Sequence, residues 1–264
     1  MLNMIEVKNL VKKFGKFTAV DKISFAVKAG EIFAFLGPNG AGKTTTIKML
    51  TTMLKPTAGQ ISVNGFDPIT QQDSVRHSFG IVFQDQSLDD ELTARENLSF
   101  HGVLYKVPKD LREKRIKELL QIVELYDRRN ALVKTFSGGM KRRLEIARGL
   151  LHHPKIFFLD EPTIGLDPQT RKHIWDYILT LNKKEGITIF FTTQYIEEAE
   201  KIAQEVAIID NGKIVGQGTV EELKQKTKTK TLEEAFLNIT GHEIRTEEAS
   251  GLEHMRMNRR MWRH

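Results

Sequence analysis

The feature that most restricts this chain is an apolar run that ends in a glycine-rich loop. Ile32-Phe33-Ala34-Phe35-Leu36 shows no alternation of apolar and polar residues, which predicts a strand covered on both faces, as in a parallel sheet. It feeds into Gly37-Pro38-Asn39-Gly40-Ala41-Gly42-Lys43-Thr44, a fit to G-x-x-x-x-G-K-[ST], and a helix is expected from about Lys43 to Met53, ending before Pro56. Strand, glycine loop and helix in that order form a phosphate-binding loop. Backbone N–H groups must converge on phosphate oxygens with no Cβ in the way, and the helix N-terminus adds positive potential. Lys43 is then the counter-charge for the β- and γ-phosphates of a nucleotide and the Thr44 hydroxyl a ligand for Mg2+, with Thr45 counted among the nucleotide-binding residues.

The rest of the chain supplies a fold for that loop. Upstream, Ile5 and Val7, then Ile23, Phe25 and Val27, alternate with polar residues before a Lys28-Ala29-Gly30 turn, which predicts an antiparallel β layer. From Gln84 to Pro154 the pattern is helical: Thr93 and Glu96 form a capping box, and Ile116, Leu119, Leu120 and Val123 mark a buried stripe. Strands return at Ile156–Leu159, Ile187–Thr192 and Val206–Asp210, the last leading through the hairpin signal Asn211-Gly212 into Lys213–Val215. Strand–helix–strand order with right-handed crossovers gives an α/β fold with a mainly parallel sheet. The expected organisation is one domain over residues 1–224, with a helical insert at about 85–154, and an extension over 225–264. A Lys/Thr-rich segment, Lys224 to Lys230, reads as a linker into that extension, and Met255–His264 has no periodicity that assigns it a structure.

Composition narrows the setting. There are no cysteines, which excludes disulfides and thiolate metal sites and suits a reducing cytoplasm. Met1–Glu6 reaches an acidic residue before any apolar stretch, so no secretory leader is expected, and no apolar run approaches the ~20 residues that cross a bilayer. The net charge of +6 would permit binding to nucleic acid or an anionic membrane, but it is not focused on one helix, half of it falls in the tail from Lys224, and no groove-reading motif accompanies it. No histidine pair has metal-ligand spacing, His152 and His153 face different directions on a helix, and Gly216-Gln217-Gly218 is a turn rather than a dinucleotide fingerprint.

Two further motifs carry chemistry. Ile156-Phe157-Phe158-Leu159-Asp160-Glu161 is an apolar strand with carboxylates at its C-terminal end, where an open α/β sheet places its ligand crevice. Beside a phosphate-binding loop, Asp160 can hold the Mg2+ water shell, which leaves Glu161 to polarise an attacking water. In Phe136-Ser137-Gly138-Gly139-Met140-Lys141-Arg142-Arg143, Ser137 can cap a helix whose free N–H groups, with two glycines allowing close approach, grip a γ-phosphate.

That third motif resembles the L-S-G-G-Q signature of ABC ATPases, and the resemblance runs from about Ile5 to about Gly218. It implies a P-loop NTPase (RecA-like) core with an antiparallel β layer and a helical insert, ATP and Mg2+ as cofactors, and hydrolysis coupled to transport through a separate integral-membrane permease. Gln84 resembles the Q-loop residue that links Mg2+ to the insert, and Gly165-Leu166-Asp167 the D-loop at a dimer seam. Phe14, or in its place Phe17, takes the position of the aromatic that stacks on adenine, although Phe14 would equally suit the core of the β layer. In the family two cassettes pair head to tail, so a chain with one loop and one signature needs a second cassette, most simply its own copy. The resemblance puts the protein peripherally on the cytoplasmic face of the cell membrane, and the acidic segment Asp85–Asn97 where relatives meet the permease. Glu145–Arg148, Asp160–Pro168 and Thr231–Gly241 are similar to drug-resistance-type exporter subunits. A soluble ABC ATPase acting on nucleic acid or ribosomes is the alternative; such proteins usually carry two cassettes in a chain or a long coiled coil, and neither is present. The sequence departs from the family at Gln194, where a histidine usually contacts the γ-phosphate. Gln can donate an N–H but carries no titratable proton. The expectation is intact binding with impaired turnover, a slow ATP-driven switch being one form of it.

Overall fold

The computed structural model describes residues 2–241. Two sheets share one interior. β1 (Asn3–Phe14) and β2 (Phe17–Lys28) pair antiparallel with Ile5 opposite Val27 and Val7 opposite Phe25, and β4 (Ala58–Val63) pairs with the other edge of β1, so the expected antiparallel layer exists and gains a third strand. The second sheet has the order β5 (Phe79–Val82), β6 (Ile156–Asp160), β7 (Thr188–Thr193), β3 (Ile32–Leu36), β8 (Glu205–Asp210), β9 (Lys213–Gly218). β3 lies at its centre with β7 and β8 parallel on either side, and every residue of it is buried, as its unbroken apolar run requires. Only β9 runs antiparallel. Asn211 and Gly212 hold positive φ of 46° and 78°, the conformation that a two-residue hairpin of matching twist demands. Between the sheets Phe25, Phe33 and Phe190 lie in offset stacks with centroids 5.5 to 5.8 Å apart.

Helix α1 (Lys43–Leu50) follows β3 through the glycine loop, and α2 (Gln72–Ser78) precedes β5. The expected continuation of α1 to Met53 fails at Thr52, whose φ of 65° turns the chain, and Met53 is exposed. The insert contains α3 (Ala94–Leu104), α4 (Lys109–Ile122) and α5 (Gly138–Gly149). Thr93 and Glu96 make the reciprocal capping box, and Ile116, Leu119, Leu120 and Val123 bury the face that meets α5 and the core beneath it. After β6 come α6 (Pro168–Glu185) and α7 (Ile196–Ile202), and after β9 come α8 (Val220–Thr227) and α9 (Leu232–Thr240).

The C-terminal reading needs a correction. Lys224–Thr227 is the last turn of α8, not a linker, and a domain boundary at 224 would cut that helix. A capping box, Thr219 with Glu222, starts α8 upstream, Val220 and Leu223 anchor it, Lys224 is half-buried and pairs with Glu200 at 3.4 Å, and Lys226 faces solvent. α9 follows after a short turn and buries Leu232, Ala235 and Phe236. Met255–His264 lies outside the described residues.

Candidate functional site

The site forms where β3, β6 and β7 end side by side. Gly37 leaves β3 so close to β8 that a Cβ would lie 2.2 Å from the Ile209 carbonyl oxygen, and Gly42, at φ 108°, would place one 2.6 Å from the carbonyl of Ala19. Both positions therefore demand glycine. The loop they shape turns Lys43 inward until only 5% of it is exposed. Its Nζ donates to the carbonyls of Gly37 at 2.6 Å and Pro38 at 3.0 Å and stands 2.9 Å from Glu161 Oε1.

The carboxylates come from the end of β6. Asp160 Oδ1 accepts from Thr192 Oγ1 of β7 at 2.6 Å and from Thr44 Oγ1 at 3.2 Å, so the first residues of α1 and the strand ends converge on it. Glu161 has φ 50°, a left-handed conformation costing a non-glycine residue about 1 kcal/mol or more. Its N–H donates to both the carbonyl and the hydroxyl of Thr192, which holds that conformation, and its Oε2 is buried with no hydrogen-bond partner. Gln194 follows β7 at the turn whose Thr193 carbonyl receives the Gly37 N–H at 3.2 Å, and Gln194 Oε1 is likewise buried without a partner. Two buried acceptors without partners, at the ends of β6 and β7, are costly unless a further group completes them.

Other residues singled out in the sequence lie elsewhere. Ser137 caps α5 by accepting from the Met140 N–H at 3.3 Å, and the two glycines behind it are at the surface, Gly139 beside Thr170 of α6. Among the described residues no hydrogen bond or ion pair joins Ser137, Gly138 or Gly139 to the Lys43 cluster. Phe14 and Phe17 face each other across the β1–β2 turn, 47% and 64% exposed, so Phe14 is not a core residue. Lys12 Nζ lies 5.0 Å from the Phe14 ring centre. Gly165-Leu166-Asp167 runs into α6, which Asp167 caps. Gln84 follows β5 at the base of the insert, and its carbonyl is reached by Arg142.

Arg142 went unnoticed in the sequence. From α5 its buried guanidinium donates to the carbonyls of Phe83, Gln84 and Glu161 and pairs with Glu145 at 3.2 Å. Glu145 Oε1 in turn accepts from the Ser87 N–H at 2.8 Å, and Arg148 Nη1 donates to the Ser87 carbonyl at 2.6 Å. The segment after β5 is thus fastened to the helix that Ser137 starts. Its acids are partly engaged too: Asp89 Oδ1 accepts from the Glu91 N–H, Asp90 pairs with Lys141 at 2.8 Å and Glu91 with Lys134 at 3.0 Å. An i, i+3 Arg–Glu pair on the signature helix was the available signal, but its backbone acceptors lie about sixty positions away for Phe83 and Gln84 and cannot be read locally.

The chain matches the ABC transporter family model over residues 20–164. The doxorubicin resistance ATP-binding protein DrrA of Mycobacterium tuberculosis is 42% identical over 227 residues, 85% of this chain and 68% of that protein. The linearmycin resistance ATP-binding protein LnrL of Bacillus subtilis is 41% identical over 83% of this chain and 70% of its own length. Among solved structures, an ATP-binding subunit of an ABC transporter superposes with TM-score 0.83 at 29% identity, covering 90% of this chain and 99% of that one. A dimeric ATP-binding cassette bound to ADP and Pi in a post-hydrolysis state gives 0.74 at 28% identity, covering 82% and 98%. With its glycine loop, paired carboxylates and signature helix on that fold, the chain belongs to the ABC transporter family as an ATP-binding, ATP-hydrolysing subunit.

Proposed function

We propose that this subunit powers a drug-exporting transporter by hydrolysing MgATP between two copies of itself, through a separate integral-membrane permease. The observation that carries this reading is the separation of two half-sites. Lys43, Thr44, Asp160 and Glu161 are assembled and mutually bonded, whereas Ser137 and Gly138 stand exposed, with Gly139 half-buried behind them, at a helix start apart from that cluster. A helix N-terminus without a phosphate in its own chain is suited to one held by a partner. Asp167, also exposed, lies at the seam on this reading.

Each residue then has a task. The N–H groups of residues 37–45 and Lys43 hold the β- and γ-phosphates, and Phe14 or Phe17 stacks on adenine. Thr44 and Asp160, whose oxygens already meet at 3.2 Å, fit a hard cation that prefers oxygen ligands, with Gln84 as a further ligand. When bound, Mg2+ neutralises phosphate charge. Glu161, released from Lys43 by phosphate, accepts a proton from the attacking water. Gln194 presents its amide to the γ-phosphate as a neutral donor. No described helix is long and apolar enough to cross a membrane, and peripheral attachment at the cytoplasmic face, through the segment Asp85–Asn97, follows from this reading. The named relatives confer resistance to doxorubicin and linearmycin, which supports drug export as the class of work.

The test is Glu161→Gln with MgATP on a size-exclusion column. Turnover should collapse while a nucleotide-dependent dimer accumulates; a monomer under saturating MgATP, or turnover at the parent rate, would overturn the reading.

A further inference from the structure

Glu198, on α7 one turn beyond Gln194, is buried and has no part in the chemistry so far described. Both of its oxygens are used. Thr163 Oγ1 donates to Oε1 at 2.5 Å, and Thr193 Oγ1 donates to Oε2 at 3.0 Å. The two hydroxyls belong to different pieces of the site. Thr163 lies two residues after Glu161 in a tight loop, where the Ile164 N–H returns to the Glu161 carbonyl and the Leu166 N–H to that of Thr163. Thr193 precedes Gln194, accepts the Tyr195 N–H on its hydroxyl at 2.9 Å, and receives the Gly37 N–H on its carbonyl.

This carboxylate is expensive to keep. Burial pushes the Glu198 carboxyl up, against the pull of the two threonine hydroxyls, the Trp175 N–H and Arg171. Arg171 is committed elsewhere: its Nε donates to the Leu166 carbonyl at 2.8 Å and its guanidinium stacks 4.3 Å from the Tyr195 ring centre. Because the cost of burying the charge opposes what its hydroxyl bonds return, this acid adds little net stability. Its geometry suits another purpose, because one side chain fixes the loop after Glu161 to the turn that carries Gln194.

We propose that Glu198 is a positioning residue for hydrolysis, clamping the Glu161 loop and the Gln194 turn at the spacing that lines up the attacking water. The proposal rests on the roles assigned to Glu161 and Gln194 above. Loss of alignment acts chiefly on the chemical step, because no hydrogen bond joins Glu198 directly to residues 37–45 and its one link to them is the Thr193 carbonyl that receives the Gly37 N–H.

The test compares MgATP turnover in the parent, Glu198→Ala, Glu198→Gln, Thr163→Val and the double variant Thr163→Val/Glu198→Ala. Glu198→Ala should lower kcat roughly tenfold or more while KM stays within about twofold. Glu198→Gln should recover most of the rate, since its amide can accept from Thr193 and donate to Thr163. Thr163→Val should lower kcat in the same manner, and the double variant should be no slower than Glu198→Ala, as members of one clamp are not additive. Unchanged kcat in Glu198→Ala, a parallel rise in KM, or a Gln variant as slow as the Ala variant would each overturn it. If Glu198→Ala does not fold, Thr163→Val and Glu198→Gln still decide. A parent with no MgATP turnover would refute the assigned function instead, and an active parent with an unaffected Glu198→Ala would refute the clamp alone.

Discussion

On the proposed reading the loop of Lys43 and the helix start at Ser137 both meet phosphate, yet they are constructed in opposite ways. Lys43 is buried, bonded to two carbonyls and paired with Glu161, so its geometry is set within one chain. Ser137 and Gly138 are exposed, and beyond the cap to Met140 nothing among the described residues defines what they should face. A preorganised site loses little entropy when ligand arrives, whereas an open helix end gains its selectivity only from a second surface. On the proposed reading, binding belongs to one chain and catalytic competence to two.

The largest expected effect tests the first half of that contrast. Lys43→Ala removes the principal counter-charge for the phosphates, and MgATP affinity by equilibrium dialysis should fall on the order of 100-fold or more. Affinity within a few-fold of the parent would end the assignment. Gly138→Arg tests the second half. A Cβ at Gly138 meets nothing within 4 Å, so the variant should fold, bind MgATP with parental affinity under dilute conditions, and lose roughly 100-fold in turnover. A loss of affinity equal to that of Lys43→Ala would erase the distinction.

A third prediction concerns the joint between the two regions. His101 of α3 and His152 just after α5 pack around Tyr105, and burial drives their imidazoles down to about 3 and about 4. The unfolded chain takes up these protons near pH 6.5 and the folded one does not, so stability is complete above about 6.5 and declines as pH falls towards about 4. The slope is at most about 1.4 kcal/mol per pH unit for each histidine. Denaturant midpoints measured from pH 7 to 4 should drop, and less so in His152→Gln; equal slopes in the two proteins would refute this origin. The smallest effect is expected at Gln194→His, which restores the family's usual side chain and should raise turnover about tenfold at saturating MgATP. Equal rates would mean that the amide performs the histidine's task.

What the sequence conveyed, it conveyed through local patterns. The run Ile32–Leu36, the glycine loop behind it and the Thr93–Glu96 box each put cause and consequence within a dozen residues, and each appears where it was expected. The links made by Arg142 to Phe83 and Gln84, and by Glu198 to Thr163, span 35 to 59 positions, and no periodicity announces them. The segment from Lys224 failed for the opposite reason: its lysines are so dense that they hid a short amphipathic helix whose buried apolar anchors are Val220 and Leu223.

Arg142 grips the carbonyl oxygens of Phe83, Gln84 and Glu161 rather than their side chains. Every residue type has that oxygen. The side chain at 83, where the insert leaves the core, can therefore change without loosening the attachment, and that at 84 is left available for the cation contact proposed for it. Exchanging residues on the outward face of this segment leaves the contact in place, because it depends on backbone that every amino acid supplies, and insert and core keep their register.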